Sequence, residues 1–256
     1  MGIQRDAPGL TLFCLPYSGA SANCYSPWKA KLPSWLKLRP LELPGRGMRM
    51  DEPLHTDIVQ LAQRLADEIA VELDRPYALF GHSLGGLLAF ELAHALRDRG
   101  LPAPLALFTS ATAGPARRDV SEYAIAKSDA ELIARLRELG GTSESVIANQ
   151  ELLDLVLPIL RADFLLCGSF RYGQREPLAV PIHVFGGKRD TVRVEELLDW
   201  QEETSTGFSL DMFEGHHFYL IDEQTRLLRH VRRYADLHLA RWRNRHARRH
   251  ASRVTG

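Results

Sequence analysis

Three residue types stand along the chain where an acyl-transfer nucleophile, its base and an orienting acid would be needed. Ser83 is the centre of Gly81-His82-Ser83-Leu84-Gly85, directly after an apolar run and directly before a long apolar-periodic one. A serine hydroxyl is a weak nucleophile at neutral pH, so it requires a base to take its proton and an acid to orient that base. Asp190, in "HVFGGKRDTV", and the pair His216-His217, in "DMFEGHHFYL", complete the order Ser, Asp, His, each just past an apolar run.

The glycines around Ser83 have a spatial reason. A turn tight enough to hold a serine at its apex brings backbones together, and side chains at positions 81 and 85 would collide. The Leu84 N–H, opening the helix that follows, can then point at an oxyanion. The pattern alone is weak; an apolar run before it and a helical pattern after it are the context the nucleophile-elbow reading demands. Among the acids, "LALFTSATAGP" offers no carboxylate one strand earlier, and Asp199 falls within the helix expected after Asp190, facing solvent, so Asp190 is preferred. The two histidines diverge in a loop, and only one can reach Ser83. His82, Asn23, His55 and His94 are read as packing or surface residues.

These groups need elements to carry them. "TLFCLP" (11–16), "LKLRPLEL" (36–43), "YALFGH" (77–82), "LALFTS" (105–110), "PIHVFGG" (181–187) and "FSLDMFEG" (208–215) read as strands, most of them buried on both faces. Between them, Ile58, Leu61, Leu65 and Ile69 recur at helical spacing behind a Thr56 N-cap, and the stretch from Leu84 to Arg99 repeats the pattern and stops at Gly100. Alternating strand and helix implies a mainly parallel sheet flanked by helices.

One interval breaks the rhythm. Between Ser110 and Val180 lie 69 residues without a good strand, far more than an ordinary crossover needs. "SDAELIARLRELGG" offers a Ser128 cap with Glu131 three residues on and stops at Gly140 and Gly141; "NQELLDLVLPILRADFLL" is a second helix that Pro158 is expected to kink. A helical insertion (about 115–175) after a central strand lies near the edge where parallel sheets place ligands, and is read as a lid. Its leucines, Leu132, Leu136 and Leu139 on one helix and Leu153, Leu157 and Leu160 on the other, with Phe164, are expected to cover the pocket, although such periodic leucines also suit plain helix packing.

Composition bounds the rest. At 256 residues, 45% hydrophobic and 25% charged, the chain suits one large α/β domain spanning 1–256. No run of 18 apolar residues occurs, and "MGIQRDAPGL" lacks a signal-peptide centre, so a cytoplasmic protein with no membrane association is expected. Cys14, Cys24 and Cys167 are widely spaced with no CxxC, suggesting neither disulfides nor zinc, and no metal or cofactor site is visible. Formal charge is zero, with 32 basic and 32 acidic residues, yet ten arginines follow from Arg226 onward against Asp236 alone. That basic end (tail about 241–256) is read as a solvated last helix with a frayed terminus, or as a patch for an acidic partner.

At these residues the sequence resembles the type II thioesterases, stand-alone α/β-hydrolases that accompany nonribosomal peptide and polyketide synthetases. The resemblance runs nearly end to end: "LFCLPYSGASANCYSPW", "LELPGRGMR", "GHSLGG", the lid stretches "ELIARLRELGG" and "LLDLVLPILRADF", and the closing "GHHFYL". The lid matches are the narrow ones. The resemblance implies an α/β-hydrolase fold with a helical lid, the base at His217 with His216 beside it, and the acid at Asp190, where this chain has Thr191 in place of the family's usual proline. It also implies a second oxyanion N–H from the loop after the first strand, at Ser18 with Tyr17 as alternate.

The implied activity is hydrolysis of acyl thioesters on the phosphopantetheine of acyl or peptidyl carrier proteins, removing aberrant or stalled groups from an assembly line. The implied enzyme is a monomer without a cofactor or nucleic-acid partner. A general serine carboxylesterase or acyl-CoA thioesterase would use the same triad, and a non-enzymatic hydrolase-like binding protein would usually have lost one of its members.

Overall fold

The computed structural model describes the backbone of residues 9–254 and the side chains of residues 9–248. The amino-terminal stretch read for a leader, up to residue 8, and the last two residues of the basic tail lie outside the described residues. Six strands form one sheet: β1 (Leu10–Leu15), β2 (Leu36–Pro40), β3 (Tyr77–His82), β4 (Leu107–Ser110), β5 (Ile182–Gly187) and β6 (Phe208–Phe213), in the order β2-β1-β3-β4-β5-β6. All five pairings are parallel. β3, β4 and β5 are buried along their whole length, as a sheet covered on both faces requires, while the edge strands β2 and β6 are partly exposed. β2 ends at Pro40, short of the expected Leu43; it is an edge strand, and the Leu41 N–H that follows still donates to the Cys14 carbonyl at 2.9 Å, so Pro40 costs the ladder no donor.

Among the described residues there are eight helices: α1 (Ile58–Ile69), α2 (Leu84–Asp98), α3 (Asp129–Leu139), α4 (Glu144–Ile147), α5 (Gln150–Ser169), α6 (Val194–Leu198), α7 (Tyr219–Asp222) and α8 (Gln224–Val254), with short 3-10 turns between them. Local signals set most of the boundaries. α2 closes at Gly100 with φ +66°, and α3 opens on the Ser128–Glu131 capping box and closes at Gly140 with φ +72°. The cap of α1 is Asp57, not Thr56: its carboxylate accepts from the Gln60 N–H at 2.9 Å. α5 continues through Pro158. α8 differs more: no frayed end is found up to Val254, because the segment stays helical.

Two hydrophobic clusters fill the two sides of the sheet. One joins α1 and α2 to it through residues such as Leu61, Leu65, Leu88 and Phe90; the other joins α8 through Leu227, Val231 and Leu239. The segment between β4 and β5 has a third cluster of its own, made of Leu132, Leu136, Ile147, Leu153, Leu157, Leu160 and Phe164. The three cysteines are free, and among the described residues no helix is long and apolar enough to cross a membrane.

Candidate active site

Every predicted polar group follows the carboxyl end of a strand, where parallel sheets open to ligands. Ser83 follows β3 in a conformation that L-residues rarely adopt, φ +53° and ψ −119°. The surroundings enforce it. A Cβ on Gly81 would lie 1.9 Å from the Gly85 carbonyl oxygen, and one on Gly85 would lie 2.2 Å from the Leu15 oxygen, so strand and helix meet at distances only glycine permits. The Ser83 N–H donates to the Ser110 carbonyl at 2.7 Å, tying the turn to the end of β4. Such a residue stores about 1–3 kcal/mol of strain, and its apex side chain lines a cavity.

The loops after β5 and β6 are stitched together by Lys188 N–H to the Phe213 carbonyl at 2.8 Å and Arg189 N–H to that of Gly215 at 3.0 Å. Gly187 permits the approach, since a Cβ there would lie 2.6 Å from the His216 oxygen. The result sets Asp190 against His217. The imidazole Nδ1 donates to both carboxylate oxygens, at 3.0 and 3.1 Å, with the Asp190 side chain 1% exposed and His217 10% exposed. That bond leaves Nε2 as the nitrogen with a lone pair, on the ring of a residue that lines the same cavity as Ser83. Thr191 adds a hydroxyl contact to Asp190 at 3.4 Å, which a proline could not supply.

The alternatives separate cleanly. His216 is exposed, and its Nδ1 donates to the Arg189 carbonyl at 3.0 Å. Asp199 is not solvent-facing: its side chain is 14% exposed and approaches Arg117 Nε at 3.7 Å. His82 packs behind the site, its Nδ1 2.8 Å from Ser110 Oγ, which in turn lies 2.5 Å from the Tyr219 hydroxyl. Burial, with a smaller contribution from His217, pushes its pKa far below that of free imidazole, so it stays neutral.

The two oxyanion candidates, the N–H groups of Leu84 and Ser18, have no acceptor among the described residues, and neither has that of Tyr17. Tyr17, Ser18 and Ser83 share the cavity wall. What fixes the loop after β1 was not evident from sequence. Asp163, on α5, forms a bidentate ion pair with Arg46 at 2.6 and 2.7 Å, the side chains 0% and 3% exposed. The same carboxylate accepts from the Gly19 N–H at 2.8 Å, and Arg46 donates to the Ala20 carbonyl at 3.2 Å. One buried pair thus holds the candidate oxyanion loop against the lid. The available signal was a lone aspartate among the apolar residues of "LRADFLLC".

The cavity measures about 320 Å³, the size of a small-ligand site. The lid supplies Leu136, Leu139, Val146, Val156, Leu160 and Phe164 to its wall. Leu153 and Leu157, expected to cover substrate, do not line it; they sit with Leu132 in the lid's own core, because an insertion standing off the main sheet must bury its apolar faces on itself. Gly141 lets this segment pack against the site, as a Cβ there would lie 2.2 Å from the Phe218 ring, next to His217. Among the described residues no His, Cys, Asp or Glu cluster fit for a metal ion occurs.

A parallel sheet with a serine elbow, an Asp–His pair and a helical lid defines a hydrolase of the α/β class. The chain belongs to the thioesterase domain family, whose model matches residues 10–234. It is 36% identical over 225 residues to the gramicidin S biosynthesis protein GrsT of Aneurinibacillus migulanus, covering 88% of each chain. It is 38% identical over 221 residues to a protein of Brevibacillus parabrevis named linear gramicidin dehydrogenase LgrE, covering 85% of this chain and 84% of that one. Its fold matches the type II thioesterase BorB from the borrelidin biosynthetic cluster with a TM-score of 0.82 and 36% identity, over 89% of this chain and 93% of BorB.

Proposed function

We propose that the protein is a type II thioesterase that hydrolyses acyl groups from the phosphopantetheine thiol of acyl or peptidyl carrier proteins, clearing aberrant or stalled intermediates from a nonribosomal peptide or polyketide assembly line. The observation that carries this reading is the Asp190–His217 hydrogen bond on the cavity that Ser83 lines. Membership in the thioesterase family and likeness to GrsT and BorB support the substrate class. The enzyme works as a cytoplasmic monomer and needs no metal or cofactor of its own.

Two half-reactions follow. His217 Nε2 takes the Ser83 proton as Oγ attacks the thioester carbonyl, and Asp190 holds the imidazole and stabilises its charged form. The Leu84 and Ser18 N–H groups receive the negative oxygen of the tetrahedral intermediate. Collapse breaks the C–S bond, and His217 returns the proton to the departing thiolate. Water then attacks acyl-Ser83, giving up a proton to His217, and the free acid leaves as Ser83 recovers its hydrogen.

The name of LgrE raises a second reading, a nicotinamide-dependent reduction of the thioester. Against it, the glycines at 81 and 85 are consumed by strand–helix contact and open no seat for a pyrophosphate. The two readings separate in one assay. Acetyl-loaded carrier protein incubated with enzyme should release acetate and free thiol at the same rate with and without NADPH; NADPH consumption coupled to aldehyde formation would support the reductase instead.

A further inference from the structure

The cavity over Ser83 contains an arginine that the acyl-transfer scheme does not use. Arg118 lines it from the segment just after β4, donating from Nη1 to Thr112 Oγ1 at 2.8 Å. Its Nε is buried and has no hydrogen-bond partner among the described residues. The guanidinium stands beside the Cys167 thiol, where it draws the pKa down against the burial that raises it.

No carboxylate lies within ion-pair distance of it among the described residues. Of the other ionic groups on the wall, Arg135 pairs with Glu138 at 2.6 Å and Glu196 with Arg193 at 3.3 Å, while Asp119, exposed, turns its carboxylate to the Ser121 N–H at 2.8 Å and not to Arg118. A guanidinium stays protonated at any working pH, and a partly buried cation without a counter-ion is costly to the folded state. Such a group is poised for an anion brought in by a ligand.

Its position says which part of the ligand. Thr112 and Cys167 are 2% and 3% exposed, and the Thr112 methyl lies 2.7 Å from where a Gly86 Cβ would stand, beneath the elbow helix. Arg118 therefore borders the inner wall; on the function proposed above, the phosphopantetheine phosphate would stay with the carrier serine that bears it, away from this wall.

We infer that Arg118 binds a carboxylate carried on the acyl group, so that the chamber takes acid-tipped acyl chains in preference to plain alkyl chains of equal length. The substrate being an acyl thioester rests on the function proposed above; the anion preference rests on the cavity alone. The test compares glutaryl- and pentanoyl-pantetheine with wild type, Arg118→Leu and Arg118→Lys. Arg118→Leu should lower kcat/KM for the glutaryl thioester about ten- to hundred-fold relative to the pentanoyl one, the size of a charge-assisted hydrogen bond, and Arg118→Lys should recover part of it. An unchanged glutaryl-to-pentanoyl ratio in Arg118→Leu would overturn the inference while leaving the thioesterase reading intact. A change seen only when both acyl groups ride on 4′-phosphopantetheine would also overturn it, moving the anion to the arm.

Binding keeps the two proposals apart. Calorimetry with the uncleavable glutaryl amide of pantetheine and the Ser83→Ala protein should show affinity falling by the same factor when Arg118→Leu is added. That loss without any thioester turnover by the wild type would uphold the anion site and sink the thioesterase function. An affinity indifferent to position 118 would sink the anion site.

Discussion

The turn between β3 and α2 and the segment between β4 and β5 meet on one cavity, and they are held in different ways. At the turn, glycines at 81 and 85 let backbones touch, the Ser83 N–H is tied to β4, and the flanking residues belong to the main core. The lid buries Leu132, Leu153 and Leu157 in a cluster of its own, and the Arg46–Asp163 pair pins it to the rest through the loop that carries Ser18. In the proposed enzyme a strained nucleophile requires a scaffold that cannot relax, whereas the chamber proposed for the acyl group is built as a separate unit that leans on the site. Chemistry should thus respond to changes in the scaffold, and selectivity to changes in the lid.

The largest expected effect lies at the turn. Ser83→Ala should fold with unchanged melting temperature and lose on the order of 10⁶ in kcat, as removal of a serine nucleophile does in comparable enzymes. Retention of a tenth of the activity would break the division outright.

Next is the pin. Asp163→Asn leaves Arg46 buried without its partner charge and should cost about 3–5 kcal/mol in urea unfolding. The paired replacement Arg46→Met with Asp163→Leu should restore most of that stability yet leave kcat depressed about tenfold or more, because the Gly19 N–H loses its acceptor and the Ser18 loop its anchor. Full recovery of kcat in the double variant would show that the pair contributes stability alone.

Acid should distinguish the main sheet and its flanking α8 from the lid without mutation. Burial holds His183 at a pKa of about 3 and His238 at about 4, and the two face each other through Nε2 atoms 2.8 Å apart between β5 and α8. As pH falls below the usual imidazole value of about 6.5, the unfolded chain takes up protons that the folded one refuses, so stability drains from pH 6.5 toward 4. The lid contains no histidine. Hydrogen exchange should therefore accelerate in β5 and α8 more than in α3 and α5, and a melting temperature flat from pH 7 to 4 would contradict the burial of these rings.

The smallest effect separates two lid residues. Phe164→Leu trims the cavity wall and should lengthen the preferred acyl chain by about one or two carbons, with a modest loss of stability because Phe164 also packs in the lid cluster. Leu153→Ala, in the lid core, should raise protease sensitivity of the lid with little change in preference.

The legible parts of the molecule were the local ones. The elbow, the Ser128 capping box and the Gly100 and Gly140 stops each need only a few neighbouring residues; the order Ser83, Asp190, then the pair His216-His217 follows from strand ends, and the choice of His217 within the pair came from the family resemblance. Asp57 displaced Thr56 as a cap because two adjacent residues can both accept from the first turn. Pairings across the chain were hidden: Arg46 and Asp163 lie 117 residues apart, and neither has a local pattern that names the other. The division of lid leucines into cavity wall and lid core was hidden too, since one helical period serves both. The basic end stays helical beyond Leu239, where Trp242 still packs on the core and stacks on His246 and Arg and Ala favour helix.

The central claim is that Ser83 carries the acyl group, and peptide mapping after brief exposure to a fluorophosphonate tests it most directly. A single stoichiometric adduct on Ser83, slowed in His217→Ala but not in His216→Ala, with parallel loss of thioester hydrolysis, is the predicted result. Full hydrolytic activity in protein whose Ser83 is completely labelled, or an adduct on another residue that alone tracks the loss of activity, would contradict it.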